Sequence, residues 1–137
     1  DFPPFRRLHK ELMAMSAHVV YTAIDAERPA STSRKVIDEI IRGFIGFDGL
    51  LMSDDVSMNA LKGSIGERAA AIVAGGGDVV LHCNGLMDEM RAVAAEVPLL
   101  ASKARARADA VEAAFGTVDA AEEVAIRAEF DGLRATA

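Results

Sequence analysis

Three short apolar runs, spaced almost evenly along the chain, constrain the fold more than any other feature. They are AHVVYTAI, GLLMS and DVVLHC, at residues 17–24, 49–53 and 78–83. Each run is apolar throughout instead of alternating, which is typical of strands covered on both faces of a parallel sheet. Their centres lie roughly 30 residues apart, the repeat length of a βα unit. The sequence therefore predicts three parallel strands.

The first interval between these runs carries a helical pattern. It follows Ser33, and Val36, Ile40 and Ile41 form one apolar face that Phe44 continues. This spacing is typical of an amphipathic helix. The second interval opens with the capping-box spacing of a serine and a glutamate three residues later, in SIGE, and closes with GGG. These are start and stop signals for a second helix.

The chain beyond the third run is helical in character. Residues 86–97 predict one helix, and the alanine-rich remainder predicts two more, separated near Gly116 and Thr117. A βαβαβα order followed by helices means α/β architecture with right-handed crossovers. Three parallel strands alone leave two open edges. We therefore expect an incomplete piece of a larger sheet or barrel, in agreement with a sequence that opens on DFPPF without a methionine.

The composition excludes several classes of function. The 137 residues contain 15 Lys and Arg against 21 Asp and Glu, a net charge of -6. Nucleic acids and anionic membrane surfaces both require a basic face, so we expect neither as a partner. No apolar run reaches the ~18 residues of a membrane span, no signal peptide is visible, and the single Cys83 offers neither a disulfide nor a zinc cluster. A cytoplasmic protein is the simplest expectation.

Candidate site residues follow from the strand ends, because α/β folds bind ligands beyond the carboxyl ends of their strands. The polar side chains near the three predicted ends are His18 or Tyr21, Asp54 with Asp55, and His82 with Asn84. The adjacent aspartates suit an active-site carboxylate and loop capping equally well, and Ser57 is also available as a cap. Each histidine falls within a predicted strand, where a packing role is more common. The methionines at 13, 15, 52 and 58 are expected to fill the core.

Four blocks of the sequence resemble a known family. SAHVVYTAID, ERPASTS, GFDGLLMSDDVSMNAL and AIVAGGGDVVLHCNG occur in the order seen in glycoside hydrolase family 3, specifically its bacterial β-N-acetylglucosaminidases (NagZ type). The resemblance covers residues 1–85, and its most specific part is the block around SDD. It implies strands six to eight of a (β/α)8 barrel at 1–85 and helices at 86–137. Residues 1–137 would then be the C-terminal portion of a single catalytic domain.

The resemblance also implies a mechanism and its residues. Enzymes of this family are retaining glycosidases, in which a carboxylate attacks the anomeric carbon and water hydrolyses the resulting glycosyl-enzyme. The family's nucleophile corresponds to Asp54. Asp55 would orient the surroundings of the nucleophile, Met58 would lie on the following turn near the pocket, and His18 near the pocket mouth. No metal or organic cofactor is implied.

The implied substrate is a saccharide with a terminal β-linked N-acetylglucosamine, in muropeptide fragments released during cell-wall turnover. The family's acid/base, a histidine supported by an aspartate, lies upstream of these blocks and has no counterpart among these 137 residues. His9 lies in RRLHKEL, without the flanking motif. We therefore expect activity to require the N-terminal half of the barrel, in the same chain or as a separate one.

Two other interpretations remain open at the sequence level. Adjacent aspartates at a strand end also hold Mg²⁺ in receiver-like domains, although the expected later aspartate and lysine are missing. Alternatively, the chain is a non-catalytic remnant that keeps part of the barrel for assembly, which the absent acid/base favours and the intact SDD block opposes.

Overall fold

The computed structural model describes residues 2–116 and 122–135. Its elements, in chain order, are α1 (Pro3–Arg6), β1 (Met13–Ser16), a π-helix (Val36–Ile45), β2 (Leu50–Asp55), α2 (Ile65–Gly75), β3 (Val79–Leu81), α3 (Met87–Glu96), α4 (Ser102–Ala113) and α5 (Glu123–Ala135). Gly116 follows α4, as the predicted break in the tail requires, while Thr117 lies outside the described residues.

The sheet is parallel throughout, as predicted. Its strand order is β1-β2-β3, so β2 lies in the centre. β1 and β2 pair without interruption, whereas the pairing of β2 with β3 is irregular between Met52 and Asp55. The buried Ser53 hydroxyl accepts a hydrogen bond from the Leu81 amide at 3.2 Å. This side chain satisfies a backbone donor where the two strands lose their regular register.

The first strand lies earlier in the chain than predicted. β1 covers Met13–Ser16, and the predicted strand at 17–24 is a loop. β1 ends where its pairing with β2 ends, at Ser53. Beyond that point the Asp55 carbonyl accepts from a side chain. The β-branched run in 17–24 has strand propensity, but propensity is context-dependent, and pairing with a neighbour decides where a strand ends.

The first predicted helix is present, but it is wound more widely than an α-helix. Val36–Ile45 forms a π-helix, and the Gly46 amide, in the left-handed region at φ 77°, donates to the Ile41 carbonyl five residues back. The wider turn changes which side chains share a face. Ile45 packs against the core, and Phe44, which α-helical spacing assigned to the apolar face, is exposed.

The helix between β2 and β3 begins and ends as its sequence signals predict. The Ser64 hydroxyl accepts from the Glu67 amide, and the Glu67 carboxylate accepts from the Ser64 amide, which completes a capping box. Gly76, at φ 106°, ends the helix in the left-handed conformation. Gly75 is the last helical residue, and Gly76 begins the turn that leads to β3, so the glycines end a helix and precede a strand, as predicted.

Two clusters of buried apolar side chains pack β2 against the π-helix and the residues after β2 against α2. Their members are Ile37, Phe47 and Leu51 in one cluster, and Val56, Leu61, Ala69 and Ile72 in the other. The clusters lie before and after the SDD residues along the chain. They anchor both sides of the segment that carries the adjacent aspartates.

The methionines of β1 do not fill the core as predicted. Met13 and Met15 are 44% and 52% exposed. They line an apolar groove of about 320 Å³, together with Phe2, Phe5, Leu8 and Tyr21. Within the described residues β1 pairs only with β2. The open strand edge and this groove therefore lie on the same flank of the sheet.

An ion-pair cluster fixes α4 at the amino edge of the sheet. The Asp78 carboxylate, whose side chain is 7% exposed, accepts from Arg42 at 2.8 Å and from Arg107 of α4 at 2.9 Å. Arg107 also pairs with Asp48, directly before β2. Asp78 thus joins three segments at the edge opposite the SDD residues. Among the described residues, no helix is long and apolar enough to span a membrane.

Candidate active site

Because the three strands are parallel, their carboxyl ends meet at one edge of the sheet. β1 ends at Ser16, β2 at Asp55 and β3 at Leu81. The polar residues named from sequence at these ends are His18, Asp54, Asp55, His82 and Asn84, and all of them lie at or directly after a strand end. Tyr21 is different, because its ring packs edge-on against Phe2 at 5.2 Å on the flank of the apolar groove.

Asp54 is held by one carboxylate oxygen only. Its Oδ1 accepts a hydrogen bond from the Asp55 amide at 2.8 Å. Within the described residues, Oδ2 has no hydrogen-bond partner. The side chain is half-buried at the end of the central strand. Asp54 therefore presents one fixed and one available oxygen, the arrangement that a carboxylate needs to react while keeping its orientation.

Asp55, in contrast, has partners on both carboxylate oxygens. Oδ2 accepts from the Ser57 hydroxyl at 2.6 Å, and Oδ1 accepts from the Ser57 amide at 3.0 Å and from the Cys83 amide at 3.3 Å. The hydrogen bond from the Ser57 hydroxyl, followed by that from the Ser57 amide, lowers the pKa of Asp55. Asp55 ties the end of β2 to the end of β3 and stays ionised to low pH.

His18 connects the end of β1 to the same point. Its Nε2 lies 3.0 Å from the Asp55 carbonyl oxygen, and its Nδ1 lies 2.6 Å from the buried Ser31 hydroxyl. A carbonyl oxygen can only accept, so Nε2 carries a proton. In the neutral ring the Ser31 hydroxyl then donates to Nδ1. His18 therefore fixes the Asp55 backbone.

His82 lies directly beyond β3, not within a strand as predicted. Its side chain is 7% exposed, and its Nε2 lies 2.6 Å from the Glu89 carboxylate in the first turn of α3. The Asn84 amide also donates to that carboxylate, at 3.3 Å. The hydrogen bond from His82 lowers the pKa of Glu89. This network fixes the loop whose Cys83 amide reaches Asp55.

The loop after β2 carries Met58, whose side chain is 42% exposed instead of filling the core. The Met58 amide donates to the Asp55 carbonyl at 3.1 Å. The loop is held from below by Arg68 of α2, which donates to the carbonyls of Val56, Ser57 and Met58. Met58 thus lies on the turn that follows the adjacent aspartates.

Sequence reasoning placed the carboxylates but missed most of what holds them. The residues it gave no role are Ser31, Glu89 and Arg68. Ser57 was available as a cap from its spacing, and it does cap Asp55. His18 contacts Ser31 and Asp55, 13 and 37 residues away, and His82 contacts Glu89 across the turn between β3 and α3, so no single helix or strand pattern links these partners.

Within 2–116 and 122–135, no three His, Cys, Asp or Glu side chains are grouped so that they could hold a metal ion.

Parallel βα units that gather carboxylates at the strand ends define an α/β domain with a candidate ligand site at the carboxyl edge. Residues 1–115 match the family model described as Glycosyl hydrolase family 3 N terminal domain. The chain therefore belongs to glycosyl hydrolase family 3, as the sequence resemblance predicted. This membership favours the glycosidase interpretation over the receiver-like one.

Relatives support the same assignment. The chain is 43% identical over 89 residues to a beta-hexosaminidase of Tolumonas auensis, covering 61% of this chain and 26% of the relative. It is 43% identical over 97 residues to a beta-hexosaminidase of Neisseria meningitidis serogroup C, covering 66% of this chain and 27% of the relative.

A solved structure has the same fold. NagZ from Neisseria gonorrhoeae, in complex with zinc ion, matches with a TM-score of 0.66 and 34% identity over 82% of this chain and 33% of that chain. The present chain thus spans between a quarter and a third of the length of these three relatives.

Proposed function

We propose that this chain supplies the last strands and the nucleophile of a (β/α)8 retaining glycosidase that removes terminal β-linked N-acetylglucosamine. The observation that carries the proposal is the geometry of Asp54: one carboxylate oxygen is fixed by the Asp55 amide, and the other has no hydrogen-bond partner within the described residues. A nucleophile needs this combination, because orientation lowers the barrier and an available lone pair forms the bond.

In the proposed reaction, Asp54 Oδ2 attacks the anomeric carbon as the glycosidic bond breaks. A glycosyl-enzyme ester forms on Asp54, and an acid/base from the upstream half protonates the departing oxygen. Water, deprotonated by the same group, then attacks the anomeric carbon and releases Asp54. Asp55 does not react. Its engaged oxygens hold the backbone amide that orients Asp54, and its charge strengthens the field around the developing oxocarbenium ion.

The supporting residues of the proposal act at the strand ends. His18 fixes the Asp55 carbonyl from the β1 side, so it positions the pair. Met58 offers an exposed apolar side chain on the loop after β2, suitable for contact with a sugar face. The substrate is a muropeptide-type saccharide with N-acetylglucosamine at its non-reducing end, as in the recycling of cell-wall fragments. The reaction requires neither a metal nor an organic cofactor.

The proposed partner is the upstream half of the barrel, in the same or a separate chain. The open edge of β1, the exposed Met13 and Met15, and the adjoining apolar groove of about 320 Å³ form a single flank. A further parallel strand with its helix would pair with that edge and bury those side chains. It would also bring the acid/base histidine to the site.

The test compares Asp54→Asn with Asp88→Asn in the protein that carries the upstream half. Hydrolysis of an aryl β-N-acetylglucosaminide should fall by about 10³-fold or more in Asp54→Asn, because the ester can no longer form. Asp88, whose side chain is fully exposed in α3, should be replaceable without loss.

Full activity of the Asp54→Asn variant would show that Asp54 is not the nucleophile. A wild-type protein without any glycosidase activity, despite the upstream half, would favour the non-catalytic remnant.

A further inference from the structure

The Arg68 guanidinium contacts four backbone carbonyls of the loop after β2. Its Nη1 lies 3.2 Å from the Val56 carbonyl oxygen, 3.3 Å from that of Ser57 and 3.1 Å from that of Met58. Its Nε donates to the Gly63 carbonyl at 2.9 Å. One guanidinium therefore reaches both the first residues of the loop and the residue before the Ser64 cap.

These contacts are made without a carboxylate. Among the described residues, no acidic side chain lies within ion-pair distance of Arg68, although other arginines form seven ion pairs with carboxylates. The side chain is half-buried. Its charge is met by carbonyl dipoles instead, and hydrogen bonds to charged groups are the stronger class. The guanidinium is thus committed to the loop backbone.

We propose that Arg68 is a positioning residue for the nucleophile: it fixes the course of the chain over residues 56–63 and so the direction in which Asp54 points. The planar fork suits this task, because its donors have fixed relative directions and can span several carbonyls at once. A lysine ammonium, a single point of charge, cannot reach both ends of the loop in the same way.

The path from Arg68 to Asp54 is short. Val56, the first residue that Arg68 holds, is separated from Asp54 by Asp55 alone. The Asp55 amide orients Asp54, and the Asp55 carboxylate is in turn capped by Ser57, the second residue that Arg68 holds. Releasing the carbonyls of 56–58 therefore loosens both the amide that orients Asp54 and the cap that fixes Asp55.

The first test is amide hydrogen exchange, which does not depend on enzymatic activity. Val56, Met58 and Leu61 have amides that are hydrogen-bonded within or beside the loop. In Arg68→Ala, exchange over 56–63 should rise by about tenfold or more, with the amides of β1 and the last turns of α2 unchanged. Arg68→Lys should give an intermediate rise.

The matched control is Arg34→Ala. Arg34 also donates through its guanidinium to a backbone carbonyl, that of Ala74 in the last turn of α2, and it makes no hydrogen bond to residues 56–63 among the described residues. It should leave exchange over 56–63 unchanged. Exchange at wild-type rates over 56–63 in Arg68→Ala, a uniform rise over the whole chain, or an Arg68→Lys variant equal to wild type would each overturn the proposal. If Arg68→Ala does not fold, the lysine variant decides.

The second test rests on the proposed function and uses the protein with the upstream half. Displacement of a reacting group by about 1 Å costs about 10²-fold in rate. Arg68→Ala should therefore lower kcat by about 10²-fold with KM nearly unchanged, Arg68→Lys should recover part of the loss, and Arg34→Ala should match wild type. A change confined to KM would overturn the positioning role. If wild type itself is inactive, the proposed function fails, and the exchange result still decides the role of Arg68 in fixing the loop.

Discussion

Two adjacent aspartates occupy the same strand end, but their carboxylates differ in how many hydrogen bonds they accept. Both carboxylate oxygens of Asp55 accept hydrogen bonds, from Ser57 and Cys83, whereas Asp54 accepts one hydrogen bond, from the Asp55 amide, on a single oxygen. The donors around Asp55 stabilise its charged form and lower its pKa. Asp55 is therefore held at the strand end by its own partners, and Asp54 keeps one oxygen available beside it.

Ser57→Ala should reveal the capping of Asp55 as a pH-dependent loss of stability. The Ser57 hydroxyl holds the pKa of Asp55 below its ordinary value, so the stabilisation is fully present above the unfolded carboxyl pKa of about 4. It disappears as the pH falls through the lowered pKa of Asp55 in the folded protein. Thermal midpoints of wild type and variant should differ at pH 7 and converge in acid. A constant difference across the whole pH range would contradict this account.

At the residue scale, sequence could predict where the candidate carboxylates lie, but only one of their partners. Asp54 and Asp55 follow an apolar run, so their place at a strand end is a local property. The contacts that distinguish them come from Ser57 two residues on, which the spacing indicated, and from Cys83 and His18, which only the folded sheet brings close. Ser31 and Glu89 have no local signal of this kind.

At the scale of elements, the errors have a common physical cause. The π-helix Val36–Ile45 keeps a hydrophobic pattern compatible with an α-helix, and only its hydrogen bonds show the wider turn. The segment 17–24 has the composition of a strand, but β1 is Met13–Ser16, which has fewer residues of high strand propensity. In both cases tertiary packing overrides the local pattern. Helices with caps, such as α2, were predictable because capping is local.

The last residue of α2, Gly75, packs closely against the loop before the π-helix. Gly75 is buried, and a Cβ there would lie 2.9 to 3.0 Å from backbone atoms of Thr32. Gly75→Ala should therefore lower the free energy of unfolding by about 1–3 kcal/mol, although alanine is the better helix former. Urea unfolding monitored by circular dichroism measures the change.

Gly66, in the first turn of the same helix, is the matched control. A Cβ there would approach its neighbours no closer than 3.4 Å, an ordinary contact. Gly66→Ala should be neutral or stabilising by up to about 1 kcal/mol. Equal effects of the two substitutions would mean that the close approach to Thr32 does not limit residue 75.

At the scale of the whole molecule, the carboxyl and amino ends of the strands carry different groups of residues. The carboxyl edge gathers the candidate catalytic groups, and the amino edge holds the helices through Asp78, Arg42 and Arg107. The sequence predicted a parallel α/β unit with open edges, and the sheet is parallel. The long-range ion pairs, such as Asp78 with Arg107, depend on where α4 returns to the sheet, and no local pattern encodes that.

Asp78→Ala should be strongly destabilising, because it leaves two poorly exposed guanidiniums without their shared carboxylate. Removing one partner of a buried ion pair typically costs about 3 to 5 kcal/mol in the free energy of unfolding. Glu123→Ala, which removes the exposed pair with Arg127 in α5, should change it by less than about 1 kcal/mol. Denaturant midpoints compare the two. Similar small losses would show that Asp78 does not hold α4 to the sheet.

An intact-mass measurement tests directly whether Asp54 forms a covalent bond to the sugar. The protein with its upstream half is incubated with a fluorinated N-acetylglucosamine donor that slows hydrolysis of the glycosyl-enzyme, and its intact mass is recorded under denaturing conditions. We expect one added sugar, which peptide digestion places on Asp54. An adduct on Asp55 or on any other residue, or none in a sample that hydrolyses the natural glycoside, would contradict it.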